Sequence, residues 1–135
     1  MGTFVDTNIL IYALKPEDSL NAWSIETLSA YRRIGPILID PIVYAELSRG
    51  FESQATTDKA LANFDIQISQ YRKSALFAAS RAFKAYKASG GAKTNVLPDF
   101  LIGANAADRG LSLITRDTAR YRTYFPDLKL IAPPL

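Results

Sequence analysis

Four acidic residues set far apart along the chain, Asp6, Glu46, Asp99 and Asp117, carry the reactive chemistry that this sequence offers. Asp6 directly follows Thr3–Val5, which reads as a short strand, and Asp117 lies two residues past Thr115, where a later strand should end. Glu46 sits on a predicted helix among Val43, Tyr44, Ala45 and Leu47. Asp99 falls in the first turn of the most apolar helix, in the run Leu97-Pro98-Asp99-Phe100-Leu101-Ile102. A carboxylate in such surroundings costs several kcal/mol to bury unless it is paired or ligates a metal. No lysine or arginine lies close in sequence to Asp6 or Asp99, so a cationic partner would have to come from elsewhere in the fold. Carboxylates gathered in one pocket repel, and some protonate unless a cation holds them. A divalent ion there lowers the pKa of bound water, orients a phosphate and stabilises a pentavalent transition state.

Each acid also has a purely structural role to weigh. Asp6 and Asp117 could cap the helices that follow them. Asp99 could complement the positive end of its helix, worth about 0.3–1 kcal/mol. Glu46 could be a solvated helical glutamate. Asp40 also follows a strand, but with Asp58, Asp65 and Asp108 it reads as a turn, cap or surface residue.

Composition narrows the chemistry further. The 135 residues suit one domain, 1–135, with an ordinary 48% hydrophobic content. There is no cysteine and no histidine. That excludes disulfides, thiolate nucleophiles, Cys/His zinc sites and Ser-His-Asp triads, as well as any nuclease with paired histidines. Oxygen ligands suit hard cations such as Mg²⁺ and Mn²⁺. The net charge of +3 is compatible with a nucleic-acid partner and is weak support for one. No run of about 18 apolar residues exists, and no signal peptide is visible, so no membrane role and a cytoplasmic location are expected.

The elements that would position these acids alternate between strand and helix. Strands are predicted at Thr3–Val5, Ile37–Ile39, Phe64–Ile68, Leu111–Thr115 and Leu128–Ile131. Helices are predicted over Asn8–Leu14, Ser19–Arg33 with Ser19 as cap, Pro41–Arg49, Thr56 or Thr57 to Asn63, Ser69–Ser89, Pro98–Asp108 and Asp117–Tyr124. Leu20, Trp23, Thr27 and Tyr31 should share the buried face of the second helix, and Leu76, Ala79, Phe83 and Tyr86 that of the longest. The alternation argues for an α/β fold, a parallel sheet covered on both faces. Ligand sites of such sheets lie outside the carboxyl ends of the strands, where Asp6 and Asp117 both fall.

Four stretches in order resemble the motifs of PIN-domain proteins. They are Phe4-Val5-Asp6-Thr7-Asn8-Ile9-Leu10, Pro41-Ile42-Val43-Tyr44-Ala45-Glu46-Leu47, Leu97-Pro98-Asp99-Phe100-Leu101-Ile102-Gly103-Ala104 and Leu113-Ile114-Thr115-Arg116-Asp117. Phe125-Pro126 through Ile131 resembles the closing strand. Size and compactness look most like the VapC toxins of type II toxin–antitoxin systems. The resemblance implies a single PIN-like domain with a five-stranded parallel sheet, and a Mg²⁺- or Mn²⁺-dependent endoribonuclease. Asp6, Glu46, Asp99 and Asp117 would be its acidic residues, with Asn8 and Thr115 as supporting polar groups. Asp6 and Asp99 would hold the principal ion, while Glu46 and Asp117 bind a second ion or orient the attacking water. Family members are typically homodimers, inhibited by a cognate antitoxin whose tail enters the active-site groove. Many relatives carry an acid three positions after the fourth-motif residue; Arg120 stands there, before Tyr121.

Arg116 and Arg120 lie near the expected site and are candidates for RNA phosphate contacts. Arg81, Lys84, Lys87 and Lys93 fit a solvated helix face better. Tyr12, Trp23 and Tyr31 could line an antitoxin groove or stack bases, with core burial the expectation for Trp23. Two other functions compete. A phosphatase or phosphoacceptor receiver also uses strand-end aspartates, but Asn8 stands where haloacid-dehalogenase-like phosphatases place a second Asp, and the first strand lacks a receiver's acidic pair. A non-catalytic PIN-like module binding RNA or protein would not need all four acids.

Overall fold

The computed structural model describes residues 1–93 and 96–134. Strand β1 (Thr3–Val5) leads into α1 (Thr7–Ala13) and α2 (Asn21–Arg32). Then come β2 (Ile37–Ile39), α3 (Pro41–Ser48), α4 (Gln54–Asn63), β3 (Ile66–Ile68) and α5 (Lys73–Ala88). The chain closes with α6 (Leu97–Asp108), β4 (Ser112–Ile114), α7 (Thr118–Tyr124) and β5 (Leu130–Ile131). All five strands are parallel, as the alternation of elements predicted, and they lie in the order β3-β2-β1-β4-β5. Successive residues of the central strands point to opposite faces, yet Phe4, Val5, Leu113 and Ile114 are all buried, so both faces are covered. Only the edge strand β3 shows water a large side chain, Ile68.

From β1 the chain moves outward to β2 and β3, then returns across β1 to lay down β4 and β5 on the other side. The reversal falls between β1 and β4, and α/β sheets bind their ligands in the crevice at such a switch point. Register sets Thr3 against Ser112, Phe4 against Leu113 and Val5 against Ile114. The next pair along that ladder is Asp6 and Thr115.

Several boundaries differ from the sequence reading, each for a local reason. Ser19 does not cap α2; Leu20 is the N-cap residue, and its amide donates instead to Asp18 Oδ1 at 2.8 Å. The predicted stripe of Leu20, Trp23, Thr27 and Tyr31 is half-buried and flanks the fully buried Ser24 and Leu28. Helix α4 starts earlier, at Gln54, because Ser53 and Thr56 form a reciprocal capping box. Helix α5 starts later, at Lys73, because Ser69 still follows the sheet, its amide donating to Ile39 O at 2.7 Å. The buried stripe of α5 is Ala75, Ala79 and Ala82, and Leu76 is 45% exposed. Leu76 sits about 100° around the helix from Ala75, away from the packed face. The predicted Phe83 and Tyr86 are half-buried against the core.

Helix α6 is the packing hub, with Phe100, Ile102, Gly103, Ala104, Asn105 and Ala106 all buried and α5 laid along it. Phe100 meets the rings of Phe83, Tyr86, Tyr124 and Phe125 at centroid separations of 5.2–6.4 Å. Truncating such a ring to alanine costs about 3–5 kcal/mol. Gly103 lets α7 close on α6: a Cβ there would stand 2.8 Å from the Phe125 ring and 2.9 Å from that of Tyr121. Gly110, at φ +66°, ends α6 in a left-handed turn while the Leu111 amide reaches back to Ala106 O. Among the described residues no helix is long and apolar enough to cross a membrane.

Candidate active site

Asp6 stands at the centre of the crevice because β1 stops there and α1 begins. Its amide donates to Ile114 O at 2.9 Å, which locks the backbone to β4. Oδ1 accepts from the Thr7 amide at 2.8 Å, so Asp6 does cap α1. Oδ2 accepts from Thr115 Oγ1 at 2.8 Å and from the Tyr121 hydroxyl at 3.1 Å. Capping therefore occupies one oxygen, and the other is enclosed by the Thr115 and Tyr121 hydroxyls. Asp6 is only 6% exposed, and burial pushes its carboxyl up to about 6, with the charge of Asp99 adding to the rise and the three hydrogen bonds opposing it.

Asp99 enters from the first turn of α6 and is half-buried. Burial raises its carboxyl above the ordinary range; Arg120 pulls it down, and the charges of Asp117 and Glu46 push it back up. The cationic partner missing from the local sequence is thus Arg120, 21 residues away, whose Nη1 donates to Asp99 Oδ2. Burial outweighs this guanidinium, so the Asp99 carboxyl stays above its ordinary range. Arg120 also stands 6.0 Å over the ring of Tyr86.

Glu46 projects from α3, half-buried, and its Oε1 accepts from Thr7 Oγ1 at 2.7 Å. Since Thr7 follows Asp6, the two acids share one short stretch of backbone. Asp117 is the N-cap residue of α7 but makes no side-chain capping bond, so capping does not explain it. Its amide donates to Thr115 Oγ1 at 3.1 Å. Thr115, wholly buried, therefore donates to Asp6 and accepts from the Asp117 turn.

The charge of Asp99 bears on Asp6, and those of Asp117 and Glu46 bear on Asp99. All-oxygen donors with surplus negative charge are the chemistry that a hard divalent cation satisfies. In the arrangement seen, however, no three of the described acids stand in a geometry that could hold an ion. Arg120 holds Asp99 instead.

The supporting residues lie on the same rim. Asn8 Oδ1 accepts from the Arg116 amide at 3.3 Å, which ties the turn after β4 to α1. Arg116 is exposed and its Nη1 donates to the Tyr12 hydroxyl at 3.0 Å. Arg81, Lys84, Lys87 and Lys93 are all exposed, with Arg81 stacked 4.7 Å over Phe77. Asp58 accepts from Tyr44, Asp65 pairs with Arg32 in a turn at φ +55°, and Asp108 pairs with Arg72, all on the surface. Asp40 caps α3 as expected, accepting from the Val43 amide at 2.9 Å, but it is buried to 1% exposure.

Two functional contributors were missed in the sequence. Thr7 orients Glu46, and its place beside Asp6 was the available signal. Tyr121 reaches Asp6 across 115 residues, and no local pattern announces that contact.

A model of the PIN domain family matches residues 3–126. No curated protein sequence matches the chain. Among solved structures, VapBC2 from Rickettsia felis bound to a DNA fragment from their promoter superposes with a TM-score of 0.73 at 22% identity, over 99% of this chain and 100% of that one. A toxin–antitoxin complex from Klebsiella pneumoniae gives 0.70 at 24%, over 98% of each chain. VapC20 from Mycobacterium tuberculosis, a toxin that cleaves the sarcin–ricin loop, gives 0.63 at 13%, over 94% of this chain and 98% of that one. At these identities the likeness is one of fold.

Proposed function

We propose, from the premise that this chain belongs to the PIN domain family, that it is a metal-dependent endoribonuclease and the toxin of a type II toxin–antitoxin pair. The observation that carries the reading is the meeting of Asp6 and Thr115 at the sheet's switch point, within electrostatic reach of Asp99 and, through it, of Glu46 and Asp117. Asp6 and Asp99 are the residues that would hold the principal Mg²⁺ or Mn²⁺. A bound divalent ion supplies Lewis-acid charge there, acidifying water and neutralising the phosphate in the transition state. Thr115 and Tyr121 fix the Asp6 carboxylate, and Thr7 fixes Glu46. Glu46 and Asp117 would hold a second ion or orient water in line with the leaving 3′ oxygen, and such cleavage would leave a 3′ hydroxyl and a 5′ phosphate. Asn8 steadies the turn that carries Arg116, and we assign Arg116 and Arg120 as the candidates for contacts with RNA phosphates.

The partner assignment draws on the surface beside the acids. A groove of about 680 Å³ between α1 and α3 has Glu46 on its wall and exposes Ile11 and Leu14. Lys15 and Arg49 share its lining with Glu46, so it suits an antitoxin segment with apolar side chains and charges of both signs. Leu76 and Phe77, exposed on α5, support the homodimer. The cytoplasm, where RNA is met, is the place of action.

The test is cleavage of RNA by the purified protein with Mg²⁺ or Mn²⁺, abolished by EDTA and by Asp99→Asn. Undiminished cleavage by a folded Asp99→Asn protein removes that residue from the site. Ion binding by a protein that cuts no RNA favours the non-catalytic PIN-like module instead.

A further inference from the structure

Arg120 faces the acids from α7, with its side chain 20% exposed and that of its partner Asp99 32% exposed. Its Nη1 donates to Asp99 Oδ2, one of the oxygens Asp99 would offer an ion. No described trio of acids stands ready for an ion while this pair is made. The guanidinium stands 6.0 Å over the ring of Tyr86 while it is paired with Asp99, so the ring shares in holding it there.

We infer that Arg120 is a built-in counter-ion that competes with the divalent cation for Asp99 and so sets the affinity of the site for metal. The inference rests on the metal-dependent reading given above. In the ion-free protein the arginine holds apart acids that would otherwise repel. Loading the site means trading one fixed positive charge for two, and the affinity observed is reduced by the cost of breaking the existing pair. Arg120 is therefore a positioning residue in the free protein, and an ion taking up Asp99 would displace it from that carboxylate. Arg122 is on the same helix and carries the same charge, but it lines a separate groove with Thr118 and Pro133. It serves as the control for a change in net charge alone.

Mn²⁺ affinity, read from the electron paramagnetic resonance signal of free Mn²⁺ at fixed pH and ionic strength, decides the matter. Arg120→Gln should bind Mn²⁺ about tenfold more tightly than wild type, equal to about 1.4 kcal/mol. Arg122→Gln should stay within about twofold, and Arg120→Lys, which keeps the charge, should stay near wild type. Melting in EDTA and in saturating Mn²⁺ gives a second reading: Arg120→Gln should melt lower without the ion and gain more from it. Competition is overturned if wild type binds Mn²⁺ and Arg120→Gln binds no more tightly, or if Arg122→Gln gains as much. Absence of binding by wild type and Arg120→Gln alike overturns the metal-dependent reading together with it. Loss of binding in Asp99→Asn places the ion on Asp99.

Discussion

Asp6 and Asp40 look alike in the sequence and end in different situations. Each follows a buried strand, each caps the helix that follows, and each is almost wholly buried. Burial raises the carboxyl of both above its ordinary range. Asp6 lies at the reversal between β1 and β4, where Thr115, Tyr121 and the charge of Asp99 converge on it. Asp40 lies one strand outward, where Tyr71 stands near enough to weigh on its proton affinity, yet neither Asp40 Oδ2 nor Tyr71 Oη makes a well-formed hydrogen bond among the described residues. The same strand–Asp–helix signal yields an aspartate ringed by polar partners at the switch point and a cap with one unbonded oxygen beside it.

The largest expected contrast between the two is catalytic. Asp6→Asn should lower RNA cleavage by roughly 10²–10³-fold, the scale of losing one charge-stabilising group in a water-poor site. Asp40→Asn should stay within about threefold, because asparagine caps as well as aspartate. Equal losses in a single-turnover cleavage assay would erase the distinction.

Stability against pH comes next. Asp6 titrates near 6 in the folded protein and near 3.8 when unfolded, so the folded state binds the extra proton between those values. Stability in EDTA should therefore fall as pH rises from about 3.8 through 6 and level off above, by about 1–3 kcal/mol for this one group. Denaturant melts of Asp6→Asn should lack that component and exceed wild type at pH 7.5. A wild-type curve that rises across the window would contradict the burial of an unneutralised Asp6.

Smaller effects separate the neighbours of the two acids. Thr115→Val strips Asp6 Oδ2 of a donor and the Asp117 turn of an acceptor, costing about 1–2 kcal/mol in chemical denaturation. Tyr71→Phe removes a hydroxyl that makes no well-formed bond and should lie within about 0.5 kcal/mol of wild type. A loss above that would mean that Asp40 and Tyr71 form a real pair.

Much of this was legible before any coordinates. Strand ends at Val5 and Thr115 sent Asp6 and Asp117 to one edge, and the apolar run around Asp99 marked a carboxylate in need of a partner. The identity of that partner was not legible, nor was the Tyr121 contact, because each depends on α7 closing over α6 at Gly103. Leu76 shows the same limit on the core side: its spacing fits a buried face, but the alanine stripe one step around the helix is what α6 accepts.

The sequence by itself determined the elements, their order, the absence of cysteine and histidine, and therefore an all-oxygen site at the carboxyl end of a parallel sheet. These follow from residue type and local periodicity, which act over a few positions. Only the tertiary structure decided that Thr115, Tyr121 and the charge of Asp99 converge on Asp6 and not on Asp40, and that Arg120 stands on Asp99. Both depend on how helices remote in sequence pack across the β1–β4 reversal. Burial and charge act through space, and the chain order does not fix the distances over which they act.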